Sequence, residues 1–226
     1  MTSTNRIALT LTLMLPAAAQ ATLIGVAGPV SNLGGAASII AAPSDALDDL
    51  VTNSGMQGFD EAQGVVTTVN HAVDGGGFIA AGTAVNSHMI FLNSAGGTAL
   101  SHFNVVWTFD SMILGIMSDG SGLLEAASTF ELGAAGTNYT VTGPGTGPAA
   151  PFPARGLEGN NGGVGPFPTD GYAILSPYTL RVGMSVTEPG DWIRVVTAAT
   201  RVPEPAPLAL LGAGLLGLGL MRRKRA

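Results

Sequence analysis

The sequence predicts an all-β fold: a β-sandwich or jelly-roll-like single domain with an N-terminal signal helix and a C-terminal transmembrane helix. Apolar and polar residues alternate in several short central segments, as in strands that bury one face. Turn formers are frequent, because the 226 residues include 33 Gly and 14 Pro. Only one central segment, residues 122–131, has the residue spacing of a helix. We therefore expect short strands joined by many turns.

The composition indicates a packed core and few charges. Hydrophobic residues make up 46% of the chain and charged residues 11%, against roughly 25% charged residues in typical soluble domains. Between Thr22 and Pro203 there are four Arg, fourteen acidic residues and no Lys. Nucleic acid binding needs a cationic surface, so that function is disfavoured. The absence of Cys excludes disulfides, thiolate zinc sites and cysteine nucleophiles.

The first 21 residues have the pattern of a signal peptide. Arg6 supplies a positive charge, and the apolar stretch 7–15 that follows is too short to span a bilayer. Ala19 and Ala21 provide the small-x-small pattern that signal peptidase reads. We predict cleavage after Ala21, with Ala19 as the alternative. The all-β domain, residues 22–201, is therefore expected to be exported.

The C-terminal segment, residues 202–226, has three parts. The first is a tetrapeptide with two prolines: Val202, Pro203, Glu204 and Pro205. The second is the charge-free run 206–221, and the third is a basic tail: Arg222, Arg223, Lys224 and Arg225. The prolines keep the tetrapeptide extended, as a protease substrate must be. The run predicts a transmembrane helix of about 24 Å, and the positive-inside rule keeps the basic tail cytoplasmic.

This arrangement resembles the PEP-CTERM sorting signal of Gram-negative bacteria, with Pro203, Glu204, Pro205, the apolar run 208–221 and the basic tail as the matching parts. The resemblance implies recognition by an exosortase, a membrane protease that removes the tail. It also implies a transient inner-membrane anchor, followed by release to the cell surface or extracellular matrix. Such proteins tend to occur in bacteria that make extracellular polysaccharide and biofilm. A single-pass anchor that is never cleaved is the alternative.

Four segments in the first half of the domain predict strands: 65–73, 87–93, 101–110 and 111–117. In the third segment, alternate residues are expected to share one buried face: Phe103, Val105, Trp107 and Phe109. Near the end of the domain, two further strands, 178–187 and 192–200, flank the turn signal 188–191. This pair predicts a β-hairpin. The region 186–197 is also similar to ectodomains that often precede this tail, a resemblance that implies no activity.

The helical segment and a long loop complete the domain. Leu123, Leu124, Ala127 and Phe130 have the spacing of a single apolar helix face within 122–131. Gly and Pro dominate residues 143–171, which predicts a loop without regular structure. The aromatic residues of this loop, Phe152 and Phe167, are expected to fix it to the domain.

The sequence contains no recognisable catalytic or metal-binding pattern, and we predict no cofactor. His71, His88 and His102 lie in different segments and favour ordinary strand or loop positions over a metal site. A group of acidic residues favours a solvated face beside a short helix, 44–50, over a calcium site. Its members are Asp45, Asp48, Asp49, Asp60 and Glu61.

Two pairs of carboxylates, Glu125 with Glu131 and Glu158 with Asp170, could serve glycoside hydrolysis if both members faced one groove. An exposed Trp107 or Trp192 would favour glycan binding, although both lie in predicted strands and favour core packing. The leading hypothesis is a non-enzymatic envelope or matrix protein. Its expected partners are signal peptidase, an exosortase-type protease, the inner membrane and extracellular polysaccharide. The alternatives are a glycan- or calcium-binding β-sandwich and a secreted polysaccharide hydrolase.

Overall fold

The computed structural model of the protein describes residues 22–45, 52–94, 97–141, 150–151, 156–157, 170–187 and 190–199. These residues belong to one compact unit, Gln20–Arg201. The predicted signal peptide (1–21), the sorting signal (202–226) and its transmembrane helix (206–221) lie outside the described residues. Within the described ranges, no helix has the length and hydropathy needed to cross a bilayer.

Strands dominate the described residues, which confirms the all-β prediction. In chain order they are β1 (Leu23–Ala27), β2 (Ser38–Ile39), β3 (Gln57–Asp60), β4 (Val65–Val66), β5 (His71–Ala72), β6 (Phe78–Ile79), β7 (Ala84–Leu92), β8 (Leu100–Phe109), β9 (Ile113–Met117), β10 (Thr140–Val141), β11 (Ala150–Pro151), β12 (Gly171–Ser176), β13 (Thr179–Val186) and β14 (Asp191–Ala198). A 3₁₀ turn (Asp74–Gly76) precedes β6, and helix α1 (Leu123–Leu132) follows β9.

Two larger sheets and two small ladders organise these strands. The smaller of the two large sheets is antiparallel, with the order β1-β8-β13-β12. The larger sheet has the order β2-β3-β7-β14-β9, with β4 also paired to β7. Its pairs are antiparallel except for β2 with β3. The pairs β5-β6 and β10-β11 form the small ladders.

The two large sheets share one core. Trp107 and Phe109 from β8 and Leu180 from β13 pack in the same buried cluster as Ile90 from β7 and Val195 from β14. The opposite face of the larger sheet is also buried, in clusters that join alternate residues of β7 and β14 to α1 and the segment after it. Strand β14 is therefore covered on both faces, and seven of its eight residues are buried.

The predicted strands 87–93, 101–110 and 111–117 are confirmed as β7, β8 and β9. One face of β8 departs from the expected alternation. A register shift against β13 and a positive φ of 59° at Asn104 interrupt the strand, and Asn tolerates that conformation better than most residues. As a result His102 joins Val105 in the interior, and Phe103 is only half-buried.

The predicted hairpin between residues 178–187 and 192–200 is wrong, although both strands exist. Strand β13 pairs with β8 and β12, whereas β14 pairs with β7 and β9, so the two strands belong to different sheets. The burial patterns explain this outcome. Strand β13 has a partly exposed face, but β14 needs neighbours on both edges and cover on both faces.

The predicted strand 65–73 is broken into β4 and β5. The Thr67 hydroxyl donates to Ala80 O at 2.8 Å, and Asn70 Oδ1 accepts from Ala81 N at 2.9 Å. These side-chain bonds bend the chain between the two short strands.

The loop predicted for 143–171 contains regular structure at its start, because β11 pairs with β10. Leu157 is fully buried in the core shared by the two sheets, and its N–H donates to Ser118 O at 2.9 Å. Leu157 therefore attaches the segment to the domain. The residues expected to do so, Phe152 and Phe167, lie outside the described residues.

Helix α1 confirms the predicted helix at 122–131, but its orientation contradicts the prediction. Leu123 and Phe130 are 67% and 69% exposed, and Ala127 is exposed as well. Glu125, Ser128 and Leu132 face inward instead. The buried side of the helix is thus mainly polar, and the reason is the residue that it covers.

Candidate functional site

A buried guanidinium lies beneath α1. Arg194 is on β14, on the face of the larger sheet opposite the shared core, and none of its side chain is exposed. Its Nε donates to Glu61 Oε2 at 2.7 Å and its Nη2 to Glu61 Oε1 at 2.8 Å. This is the two-pronged geometry in which Arg binds a carboxylate most strongly. Glu61 immediately follows β3 and its side chain is also fully buried.

The remaining nitrogen of Arg194 holds the helix. Its Nη1 donates to Glu125 O and to Ser128 Oγ, both at 2.7 Å, and to Thr129 Oγ1 at 3.1 Å. A buried charge needs such polar partners, because transfer out of water is costly for an ion. The guanidinium therefore requires the polar side of α1, and the apolar residues of the helix are displaced to the outer side.

Tyr139 completes this network. Its hydroxyl donates to Glu61 Oε1 at 2.7 Å and accepts from Ala134 N at 2.8 Å. Its ring centre lies 5.9 Å from the Cζ atom of Arg194. Burial and the charge of Glu61 raise the pKa of Tyr139. Burial disfavours the charged form of Arg194, but the carboxylate of Glu61 outweighs that effect and raises the pKa of the guanidinium.

Glu125 is the second buried acid near Arg194. Burial, reinforced by the charge of Asp119, raises the pKa of Glu125 well above its usual value. The neutral carboxylic acid is therefore favoured at this position. Asp119 itself accepts from Leu123 N at 3.1 Å and from Leu124 N at 2.8 Å, so it caps the first turn of α1.

Asp74 lies beside the same end of the helix. Its carboxylate accepts from the Ser118 hydroxyl at 2.7 Å and from the Tyr172 hydroxyl at 3.0 Å. Burial is the main cause that raises the pKa of Asp74, and the charge of Asp119 adds to it. Within the described residues, no group of three or more His, Cys, Asp and Glu side chains is arranged to hold a metal ion. The arrangement joins strands to α1 through hydrogen bonds.

His88 belongs to a second buried network. Its Nδ1 donates to Asp60 Oδ1 at 2.7 Å, and its Nε2 lies 3.0 Å from Thr197 Oγ1. The order carboxylate, imidazole, hydroxyl is that of a nucleophile-activating triad. However, both His88 and Thr197 are 0% exposed, so no substrate reaches the hydroxyl. The geometry serves to connect β3, β7 and β14.

The other two histidines also have internal partners. His102 Nδ1 accepts from Met56 N at 2.9 Å and its Nε2 donates to Pro29 O at 2.8 Å. His71 Nε2 lies 2.5 Å from Glu131 Oε2 and connects β5 to α1. All three histidines lie in strands, in agreement with the strand or loop positions that the sequence predicts.

The prediction of a solvated acidic face is wrong for Glu61, whose side chain is fully buried against Arg194. Asp60 binds His88, and 29% of its side chain is exposed. Asp45 accepts from Asn138 Nδ2 at 3.3 Å. Asp48, Asp49 and most of the predicted helix 44–50 lie outside the described residues.

The first predicted carboxylate pair, Glu125 with Glu131, is divided between two environments. Glu125 is buried, and its backbone carbonyl binds Arg194, whereas the carboxylate of Glu131 binds Thr68 and His71. Asp170 accepts from Ser185 N, and Glu158 lies outside the described residues.

Both tryptophans are buried, which confirms the expected core packing. Trp107 is 0% exposed, and Trp192, which is 1% exposed, stacks on Phe91 with 4.7 Å between ring centres. Neither ring is available to a sugar.

Sequence reasoning missed Arg194 and Tyr139. One signal was present, because Arg194 is the lone charge within the apolar run Trp192 to Val196. A charge in a strand buried on both faces requires a buried acid elsewhere. Nothing local to the sequence identifies Glu61 as that acid, since 133 positions separate the two residues.

The predicted sorting residues lie outside the described residues. They are Ala19, Ala21, Val202, Pro203, Glu204, Pro205, Arg222, Arg223, Lys224 and Arg225. The family model of the PEP-CTERM protein-sorting motif matches residues 201–225, which include the tetrapeptide and the basic tail. Cleavage at Ala19 or Ala21 stays a prediction from the sequence. Comparison with curated proteins and with solved structures gives no match.

The matched segment defines a class of protein, namely exported proteins that are sorted through an exosortase. This chain carries the PEP-CTERM sorting motif at its C-terminus, so the resemblance drawn from Pro203, Glu204 and Pro205 is confirmed. The motif implies export, processing by a membrane protein and transient membrane anchoring before surface release.

Proposed function

We propose that this chain is a non-enzymatic envelope or extracellular-matrix protein of a Gram-negative bacterium. Signal peptidase removes residues 1–21, and the helix 206–221 holds the exported domain at the inner membrane. An exosortase then cuts near Pro203, Glu204 and Pro205. The released domain associates with extracellular polysaccharide at the cell surface. The match of the sorting motif to residues 201–225 carries this proposal.

The chemistry of the domain supports a structural role. The groups that most often perform catalysis are occupied by internal contacts: His88 by Asp60 and Thr197, and His102 by Met56 and Pro29. A hydrolase would need accessible acids on one groove. Glu61 is instead buried against Arg194, and Glu125 is buried on the inner side of α1.

The exposed aromatic residues support contact with polysaccharide. Phe78, Phe130 and Tyr178 are 63%, 69% and 49% exposed. Sugar rings stack on such aromatic faces, and neutral stacking suits a domain with few surface charges. Binding through these residues does not require a deep pocket.

A reporter fusion tests the sorting part of the proposal. Residues 198–226 are attached to an exported reporter protein, which is produced with and without the exosortase. We expect a shortened, surface-released reporter only when the protease is present. A variant with Pro203, Glu204 and Pro205 replaced by Ala should stay uncut in the membrane. The Thr200→Ala variant, which lies outside the motif tetrapeptide, serves as the matched control and should be processed. Equal size and location of all fusions in both strains would refute sorting.

A matrix-retention measurement tests the polysaccharide part. The processed protein is added to purified extracellular polysaccharide, and the bound fraction is measured by sedimentation. We expect the triple variant Phe78→Ser, Phe130→Ser and Tyr178→Ser to bind at least several-fold more weakly than the parent. A control variant with exposed aliphatic residues changed, Val66→Ser and Leu33→Ser, should bind as the parent does. Equal binding by all three proteins would remove the aromatic contact from the proposal.

A further inference from the structure

The peptide group that joins Thr22 to Leu23, at the start of β1, is held by two hydrogen bonds. The N–H of Leu23 donates to Asp60 Oδ1 at 2.9 Å. The N–H of Asp110 donates to the carbonyl of Thr22 at 3.3 Å. Predicted cleavage after Ala21 makes Thr22 the first residue of the mature chain. The new terminus is therefore created at a position that the fold already fixes.

The carboxylate of Asp60 has capacity for another donor. In the described part of the chain, its hydrogen bonds, from Leu23 N and from His88 Nδ1, both go to Oδ1. The side chain of Asp60 is 29% exposed. A carboxylate can accept about four hydrogen bonds over its two oxygens, so Oδ2 is accessible to a cation that arrives from the solvent side.

We propose that removal of the signal peptide creates an ion pair between the α-ammonium group of Thr22 and the carboxylate of Asp60. This inference rests on the export and cleavage steps of the proposed function. Hydrolysis of the Ala21–Thr22 bond consumes one water and leaves a carboxylate on Ala21 and an ammonium on Thr22. Bond lengths place the Thr22 nitrogen within about 3.7 Å of the Leu23 nitrogen, which itself contacts Asp60.

The charges around this position favour the pair. Asp60 on β3 presents its carboxylate to the start of β1, and His88 lies behind it. Asp110, after β8, contacts Thr22 through its backbone N–H. Among the described residues, the arginines are Arg181 and Arg194. Arg194 is bound to Glu61 on the other face of the larger sheet, and Arg181 lies on β13 opposite Val106. Neither arginine competes for Asp60.

Through the ion pair of Thr22 with Asp60, removal of the signal peptide changes the stability of the domain. The pair extends the network of Asp60, His88 and Thr197 to the first residue of the mature chain. That network then joins β1, an edge strand of one sheet, to the larger sheet. The exported and processed form is thereby the more stable form of the domain.

A selective modification tests the proposal, because Lys224 is the only Lys in the chain. The protein is purified after export and treated with an N-hydroxysuccinimide ester of acetate, which neutralises the α-amine. We expect acetylation to lower the Tm of the parent by about 1–4 °C and to leave the Tm of the Asp60→Asn variant unchanged. Acetylation of any remaining Lys224 affects both proteins equally. The Asp110→Asn variant is the matched control and should respond as the parent does.

Three outcomes would overturn the proposal. One is an equal effect of acetylation on parent and Asp60→Asn. Another is a parent Tm that acetylation leaves unchanged. The third is an N-terminal peptide mass showing that the mature chain does not begin at Thr22. If Asp60→Asn does not fold, the acetylation rate of the parent is followed against pH. A paired amine should titrate above the ordinary range of about 7.7–8.0, and a value within that range would also refute the pair. Failure of sorting appears separately, as an uncut C-terminal peptide.

Discussion

Glu61 and Arg194 are joined by two hydrogen bonds of 2.7 and 2.8 Å, and both side chains are 0% exposed. This pair connects the end of β3 to the centre of β14 across 133 positions of sequence. A buried ion pair is stabilising only relative to one broken partner, because desolvation of the two charges offsets much of their attraction. The main effect of the pair is therefore to determine which residues face α1, and its net contribution to stability is the smaller effect.

Removal of one member of the Glu61–Arg194 pair should lower the stability of the domain. We expect Glu61→Gln to lower the free energy of unfolding by about 3–5 kcal/mol, because it leaves the Arg194 guanidinium buried without its counter-charge. The double variant Glu61→Gln with Arg194→Met should recover part of that loss. Urea unfolding of the purified domain measures both effects. If the double variant were no more stable than Glu61→Gln, the two side chains would not be energetically coupled.

Glu125 should make the protein less stable as pH rises. Its pKa in the folded state lies above the ordinary value of 4.5, through burial. Its contribution is therefore fully present below pH 4.5 and is lost as pH rises through the folded pKa. We expect Glu125→Gln, which stays neutral, to be more stable than the parent at pH 7, with the difference shrinking towards pH 4. Tm values measured from pH 4 to 8 check this trend.

Glu131, on the same helix, should give the opposite dependence of stability on pH. Hydrogen bonds from Thr68 and His71 outweigh its desolvation and lower its pKa. Its contribution is present above pH 4.5 and disappears as pH falls through the folded pKa. Glu131→Gln should therefore lose stability relative to the parent at neutral pH, and the loss should fade in acid. The same pH trend for both Gln variants would contradict the assigned environments.

A glycine in β3 should not tolerate a side chain. A Cβ atom at Gly58 would lie 2.6 Å from Cζ3 of Trp107, a fully buried ring. We expect Gly58→Ala to lower the free energy of unfolding by about 1–3 kcal/mol through overpacking. Gly25→Ala is the matched control, since its Cβ would meet Thr108 Cβ at an ordinary 3.7 Å. A thermal unfolding experiment that gave equal Tm values for both would be inconsistent with the packing at Trp107.

The reversed orientation of α1 gives a further prediction. Leu132 is 0% exposed, whereas Leu123 on the same helix is 67% exposed. We expect Leu132→Ala to destabilise by about 2–5 kcal/mol and Leu123→Ala by about 0.5 kcal/mol or less. Chemical denaturation distinguishes these values readily. A larger destabilisation by Leu123→Ala than by Leu132→Ala would instead support the helix orientation that the apolar spacing predicts.

The sequence predicted the strands correctly where the pattern of neighbouring residues is sufficient to define them. Alternation of apolar and polar residues predicted β8 and β13, short apolar runs predicted β7 and β9, and the turn signal 188–191 marked the start of β14. The pairing of the strands could not be predicted in this way, because β13 and β14 are adjacent in sequence yet belong to different sheets. Their separation depends on β14 being buried on both faces, a property that emerges only when α1 and the second sheet are in place.

The same limit applies to the candidate site. The apolar spacing of Leu123, Ala127 and Phe130 suggested the inward face of α1, and that prediction failed. One buried guanidinium outweighed the apolar periodicity, because unpaired burial of a charge costs more free energy than exposure of two apolar side chains. The sorting motif was recognisable since its meaning depends on the order of residues along the chain, not on tertiary contacts.

The position of β14 has a mechanical consequence for a domain tethered by its tail. This strand ends at Ala198, close to the matched segment that begins at residue 201, and it is paired with β7 on one edge and β9 on the other. Tension applied through the tether would enter the middle of the larger sheet, not a free margin. Both ladders of β14 would therefore have to break before this last strand could be pulled out of the sheet.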